Sequence, residues 1–266
     1  MITSVQALIL GIVEGITEFL PISSTGHLIL AGEWLGIGGE SVKAFEVIIQ
    51  AGALLAVLGL YRNRIGEMWQ GVVGKDADGR RLLMNLFISF LPAVVVGLLF
   101  HGWIKENLFH RSAVTGALAI GGIFMIVVDR ILPPHPVPLS LFSMTYSQAL
   151  LIGLAQVLSL WPGTSRAMVT LVAAMLLGFP ATAAAEYSFL LALPTLGAAA
   201  LFDFAKNGSV LFSDVTLFSF LSGFATAGIV AAVSIRFLIH YLTKHGLALF
   251  GWYRIGLAVL VWGLIR

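Results

Sequence analysis

The sequence predicts an all-α integral membrane protein, with about six transmembrane helices plus two re-entrant helical hairpins, arranged as an inverted internal repeat. Three observations carry that prediction. Of the 266 residues, 59% are hydrophobic and 11% charged, with a mean hydropathy of +0.98; a soluble domain needs roughly 25% charged residues to cover its surface. Uncharged runs of near-spanning length recur along the chain. Two apolar segments that stop at a proline resemble each other.

The elements follow in order. A helix needs about 20 apolar residues to cross roughly 30 Å of hydrocarbon. Val47 to Leu60, Leu82 to Phe100, Ala113 to Val128, Tyr187 to Phe202 and Val215 to Ile235 meet or approach that length. A sixth run, Gly246 to Ile265, contains Arg254, expected near its membrane entry. Ile2 to Leu20 and Leu141 to Leu160 behave differently, because each ends at a proline, in "FLPISST" and "LWPGTSR". The helix after the first proline, roughly Ser24 to Leu35, rises only about 18 Å and cannot span. Both regions therefore read as re-entrant hairpins, 2–36 and 141–178.

"QALILGIVEG" from Gln6 aligns with "QALLIGLAQV" from Gln148, and Glu46 and Glu186 stand at matching points before the next span. The chain thus reads as a single membrane domain, 1–266, made of a first repeat, 1–135, and a second, 141–266. Arg62, Arg64, Lys75, Arg80 and Arg81 mark their loop as cytoplasmic, which leaves Lys105 and Arg111 outside. If the first arms crossed fully, four crossings would make the repeats parallel; with a re-entrant hairpin plus three spans the number is odd and the second repeat is inverted, the arrangement that the charge counts favour. Arg236, Lys244 and Arg254 then lie inside and Lys206 outside. The net charge of +2 is too small to suggest nucleic acid, the absence of cysteine excludes disulfides and thiolate metal sites, and no cleavable signal is expected.

The chemistry concentrates in "EGITEFLPISSTGH", residues 14–27. Glu14 and Glu18 are four apart, on one helix face, and carboxylates at membrane depth mark a functional site by default. Pro21 stops the first helix. Ser23, Ser24, Thr25 and Gly26 can cap the next one, whose free amides form an anion site. His27 lies in its first turn and can act as acid, base or nucleophile. The second hairpin supplies Thr164, Ser165 and Arg166 at the same kind of turn. A membrane-depth guanidinium needs an anion and suits phosphate oxygens; an ion pair with Glu14 or Glu18 is the alternative partner. These residues predict a buried anion site, with phosphate the favoured ligand.

The same two stretches resemble the signature regions of the undecaprenyl pyrophosphate phosphatase family, the bacitracin-resistance type of bacterial membrane protein, and the resemblance covers essentially the whole chain. Its E-x-x-x-E falls on Glu14 and Glu18, its P-x-S-S-T-G-H on Pro21 to His27, and its P-G-x-S-R-S-x-x-T on Pro162 to Thr170, with Ala167 in place of the second serine. The resemblance implies removal of the terminal phosphate from a C55 isoprenyl diphosphate, recycling the lipid carrier of cell-wall synthesis. It also implies a divalent cation, Mg²⁺ or Ca²⁺, and a multi-pass location in the bacterial inner membrane.

On that footing Arg166 and the two helix starts, with Ser23, Thr25, Gly26, Thr164, Ser165 and Thr170, are expected to bind phosphate. Glu14 and Glu18 would hold the cation through oxygen, or one of them would act as base. The nucleophile is Ser24, with His27 as its base, or His27 itself; Ser24 is preferred. The isoprenyl tail would lie between helices, and the small residues at Ala181 to Ala185 and Ala198 to Ala200 permit close packing or a tail groove. The charge pattern predicts a pocket open to the periplasmic or outer face. Membrane lipids are the expected surroundings, and a homodimer is left open. The rival class is a transporter or flippase for a phosphate-bearing lipid or anion, since inverted repeats with broken helices are also a transporter architecture.

Overall fold

The computed structural model describes residues 2–108, 110–132 and 139–264, apart from the side chains of 40, 41, 105, 203, 204, 206–214 and 264. The boundary expected at 135 and the side chains of Lys105 and Lys206 lie outside the described residues. Twelve α-helices make up the described fold: α1 (Ser4–Thr17), α2 (Ser24–Trp34), α3 (Glu40–Leu60), α4 (Arg62–Val72), α5 (Ala77–Leu99), α6 (His101–Leu108), α7 (Arg111–Ile131), α8 (Tyr146–Gln156), α9 (Arg166–Leu176), α10 (Ala181–Asp214), α11 (Leu217–Leu242) and α12 (Ala248–Leu264). No strand is formed among the described residues, only an isolated bridge between Ile2 and Val215. The protein is an all-α multi-pass membrane protein.

Five helices contain spans long and apolar enough to cross a bilayer: Val42–Leu60, Ala77–Leu99, Arg111–Ile131, Ala181–Phe202 and Leu217–Leu242. The sixth expected span is α12, whose 17 residues rise about 26 Å. The hairpins are pairs of shorter helices. α1 has 14 residues and α2, α8 and α9 have 11 each, about 17–21 Å, short of the hydrocarbon thickness. The arginine-rich stretch after α3, read from sequence as a loop, forms the helix α4. It turns Trp69 and Val72 outward beside Arg62 and Arg64, the build of a helix lying in a membrane interface.

Each hairpin docks on a helix from the other half of the chain: α1 on α11, and α8 on α5. The central pairs are α3 with α10 and α7 with α12. Glycine permits the two hairpin contacts. A Cβ on Gly11 would lie 2.6 Å from the carbonyl oxygen of Gly223, and one on Gly153 would lie 2.6 Å from that of Ser89, so the backbones meet where only hydrogen fits. Asp129, near the end of α7, accepts hydrogen bonds from the amides of Leu247 (2.8 Å) and Ala248 (3.2 Å), capping α12 and fixing it beside α7. Ala184 and Ala185 are fully buried and packed inside the fold, whereas Ala198 and Ala199 are exposed on the outer face of α10.

Candidate active site

Both hairpin turns are built by the same local device. The second helix of each begins at a serine N-cap with positive φ, Ser23 (φ 76°) and Ser165 (φ 72°), the only such non-glycine residues among those described. A β-carbon in that region costs on the order of 1–3 kcal/mol and persists only where surrounding structure enforces it. Each serine hydroxyl accepts from the amide three residues on, Gly26 (3.4 Å) or Met168 (3.2 Å). The remaining first-turn amides give each helix start a positive end.

The two turns meet through side chains. The Ser24 hydroxyl donates to Oε2 of Glu18 at 2.5 Å, and Oε1 of Glu18 accepts from Nη2 of Arg166 at 2.7 Å. Glu18 therefore bridges a hydroxyl of the first hairpin and a guanidinium of the second, with both charged side chains more than nine-tenths buried. Arg166 also donates through Nη1 to the Ser188 carbonyl at 2.9 Å, while its buried Nε has no partner. Such a donor is costly to leave unmade. Glu14 sits one turn before Glu18, fully buried, and neither carboxylate oxygen has a hydrogen-bond partner.

His27 is arranged differently from the expectation that it serves Ser24. Its Nδ1 lies 2.7 Å from the Ser23 carbonyl oxygen and its Nε2 lies 2.7 Å from the Tyr253 hydroxyl. A carbonyl only accepts, so Nδ1 carries the proton, and in the neutral ring Nε2 accepts from tyrosine. The ring thus pins the strained Ser23 backbone, and the group hydrogen-bonded to Ser24 is Glu18. Thr170 is likewise turned inward: its hydroxyl donates to the Arg166 carbonyl at 2.9 Å and lies 2.6 Å from the Ser188 hydroxyl. Thr164 presents its carbonyl to Arg254. Thr25 is half-buried beside Ser24.

Sequence reasoning missed the contribution of α12. Arg254 lies wholly buried between the two turns rather than at a membrane entry, and its neighbour Tyr253 reaches His27. The signal for Arg254 was present, since a cation inside an apolar run is itself a functional marker; Tyr253 carried none.

An apolar cavity of about 340 Å³ adjoins the second turn. Thr164 and Trp161 stand at the turn, Met168 and Val172 run along α9, and Gly121 and Phe124 face them from α7. These spacings of three and four residues put one stripe of each helix on the groove.

Among the described residues no three histidine, aspartate or glutamate side chains are grouped to hold a metal alone. Two buried carboxylates, one with both oxygens unpartnered, nevertheless fit a hard cation that completes its shell with substrate phosphate and water.

A multi-pass helical membrane protein with a buried charged centre where two hairpins meet is the class that this fold and site define. Within that class, the chain belongs to the bacitracin resistance protein BacA family, whose model matches residues 7–260. An undecaprenyl-diphosphatase of Sorangium cellulosum is 48% identical over 260 residues, covering 96% of this chain and 84% of that protein. One from Nitrosomonas europaea is 45% identical over 257 residues (96% and 92%), and undecaprenyl-diphosphatase 2 of Shewanella oneidensis is 42% identical over 262 (98% of each).

Proposed function

We propose that this protein hydrolyses undecaprenyl diphosphate to undecaprenyl phosphate and inorganic phosphate. The observation that carries the reading is the continuous Ser24–Glu18–Arg166 chain at two facing helix starts, in a chain whose relatives bear the name of that activity. Ser24 Oγ attacks the terminal phosphorus as its proton passes to Glu18 Oε2; the bond to the bridging oxygen breaks and the lipid monophosphate leaves with that electron pair. Water then attacks the phosphoserine. Glu18 returns its proton to Ser24 Oγ, and both protons of the water depart with dihydrogen phosphate. Arg166 exchanges Glu18 for phosphate oxygens, its unpartnered Nε supplying a second parallel donor. His27 holds the Ser23 turn through its carbonyl.

A divalent cation, Mg²⁺ or Ca²⁺, belongs at Glu14, with Glu18 beside it; when bound it would neutralise charge on the diphosphate. The isoprenyl chain starts in the groove between α7 and α9 and continues into the bilayer. The membrane is the bacterial inner membrane, and the site opens to its outer side, because Arg62, Arg64, Arg80 and Arg81 cluster around α4 and the start of α5.

Purified protein in detergent, given undecaprenyl diphosphate with Mg²⁺, should release one phosphate per lipid; no release above a Ser24→Ala control would sink the hydrolase reading. Sidedness has its own test in this cysteine-free chain. A single cysteine at Gly38, where a side chain meets open space, should react with an impermeant thiol reagent on intact cells, whereas one at Ala77 should not. The reverse pattern would overturn the outward opening.

A further inference from the structure

Arg254 is the largest side chain that is fully buried among the described residues. A guanidinium has five N–H donors, and here all of them meet backbone carbonyls. On α7, Nε donates to Leu118 (3.3 Å) and Nη2 to Ala117 (3.0 Å). On the first hairpin turn, Nη1 donates to Pro21 (3.3 Å). On the second, Nη1 donates to Thr164 (2.9 Å) and Nη2 to Gly163 (2.8 Å). None of these partners is a carboxylate. Burying a cation without a counter-ion is expensive, and only a full set of oriented dipoles makes it tolerable.

Two side-chain devices therefore tie the hairpin turns together: the Glu18–Arg166 ion pair and the Arg254 carbonyl cluster. The first cannot last through a catalytic cycle. Arg166 must leave Glu18 to meet the phosphate, and Glu18 loses its charge on taking the Ser24 proton. The second has no part that changes charge. We infer that Arg254 is a positioning residue: it holds the Pro21 turn and the Gly163–Thr164 turn against α7, and so keeps Ser24 and Arg166 in register while the Glu18–Arg166 pair is broken. With every donor engaged it makes no contact with phosphate. Its effect is on the geometry of the reacting groups, where a shift of about 1 Å costs on the order of 100-fold in rate. The inference rests on the hydrolase reading above.

Two variants test it. Arg254→Lys keeps the charge but offers three donors from one point, which cannot reach three segments. Gly121→Ala keeps the arginine and displaces it, because a Cβ there would collide with Nη2 and Cζ of Arg254; one added methyl is the smallest change that disturbs the cluster, and the melting temperature reports whether the fold accommodates it. Turnover and KM are measured on undecaprenyl diphosphate, with melting temperature as the measure of folding. Spin labels at Trp34→Cys on α2 and Leu176→Cys on α9 report the hairpin separation, with and without inorganic phosphate.

Arg254→Lys should lower kcat about 100-fold with KM within about threefold, and Gly121→Ala about tenfold. On adding phosphate, the label distance should stay narrow in the parent protein and broaden in both variants. Turnover within twofold of the parent in both variants, or a loss matched by the fraction unfolded with unchanged label distances, would overturn the inference. If Arg254→Lys does not fold, Gly121→Ala decides alone. A parent protein that hydrolyses no lipid diphosphate would refute the proposed function instead, and the label distances would still report whether Arg254 sets the register.

Discussion

The two hairpins share their construction and differ in their chemistry. Each begins with a capping box, Thr3 with Gln6 and Thr145 with Gln148. Each passes a glycine against a carbonyl of a helix from the other half, and each restarts at a positive-φ serine. In the same register the side chains that matter diverge. Glu14 of the first hairpin corresponds to Gln156 of the second, Ser24 to Arg166, and His27 to Val169. Gln156 is a satisfied amide, donating to the Ser89 carbonyl at 3.2 Å and accepting from Thr195 at 3.3 Å, whereas Glu14 is a carboxylate with nothing to bond. On the proposed mechanism, the shared features make two helix starts suited to an anion, and the divergent ones divide the labour: the first hairpin would supply nucleophile, base and cation ligand and the second the guanidinium.

The largest effects should come from exchanging the roles of equivalent positions. Ser24→Ala should abolish phosphate release, by at least about 1,000-fold in kcat, since it removes the proposed nucleophile. At the structurally matching cap, Ser165→Gly should keep activity within about tenfold: glycine adopts φ 72° without strain and serves as an N-cap at a cost of a few tenths of a kcal/mol. Equal losses in the two variants would erase the proposed division. Arg166→Lys comes next, about 100-fold down or more, because an ammonium cannot make the bidentate phosphate contact of a guanidinium that is also anchored on the Ser188 carbonyl. Turnover near the parent value would make Arg166 a structural partner of Glu18 alone.

The pair Glu14 and Gln156 sharpens the contrast further. Glu14→Gln is nearly isosteric and replaces a buried carboxyl whose oxygens have no hydrogen-bond partner, so folding should hold, while the Mg²⁺ concentration for half-maximal activity rises about tenfold or more. An unchanged cation requirement would remove Glu14 from the metal site. Gln156→Glu does the opposite: it turns a donor facing the Ser89 carbonyl into an acceptor, and should cost about 1–3 kcal/mol of stability, measured by thermal unfolding.

The difference between the hairpins explains what was legible in the sequence. Apolar run lengths and proline stops predicted the spans and the short helices, because bilayer thickness and proline geometry act locally. The carboxylates, hydroxyls and Arg166 stood out as polar groups in an apolar chain. The hydrogen bond of Ser24 to Glu18 rather than to His27 depends on how the Glu18–Ile22 turn folds back, which no spacing rule gives. Arg254 and Tyr253 are adjacent in sequence yet serve different segments of the site, successive helical residues pointing about 100° apart. Their targets lie on the far side of the chain. The α4 helix was lost in a charged stretch that reads as loop when only long apolar runs are sought.

The smallest effect should come from Tyr253, which has no counterpart on the second hairpin because Val169 there needs none. Tyr253 is 47% exposed, and Tyr253→Phe keeps its ring and removes only the hydroxyl that meets His27 at 2.7 Å. The loss is one hydrogen bond at a half-exposed position, about 0.5–1.5 kcal/mol, with the histidine still tied to the Ser23 carbonyl by Nδ1. If His27 acts by holding the turn, turnover should fall only about three- to tenfold, KM should hardly move, and His27→Gln, which can still donate to that carbonyl, should retain part of the activity. If His27 were itself the nucleophile, freeing Nε2 from tyrosine should raise turnover, and His27→Gln should be as inactive as Ser24→Ala. Steady-state kinetics on the two variants, with acid-stable and acid-labile phosphoprotein measured after rapid quenching, separates the cases: acid-stable phosphate on serine supports Ser24, and acid-labile phosphate lost in His27→Gln would transfer the nucleophile to the ring.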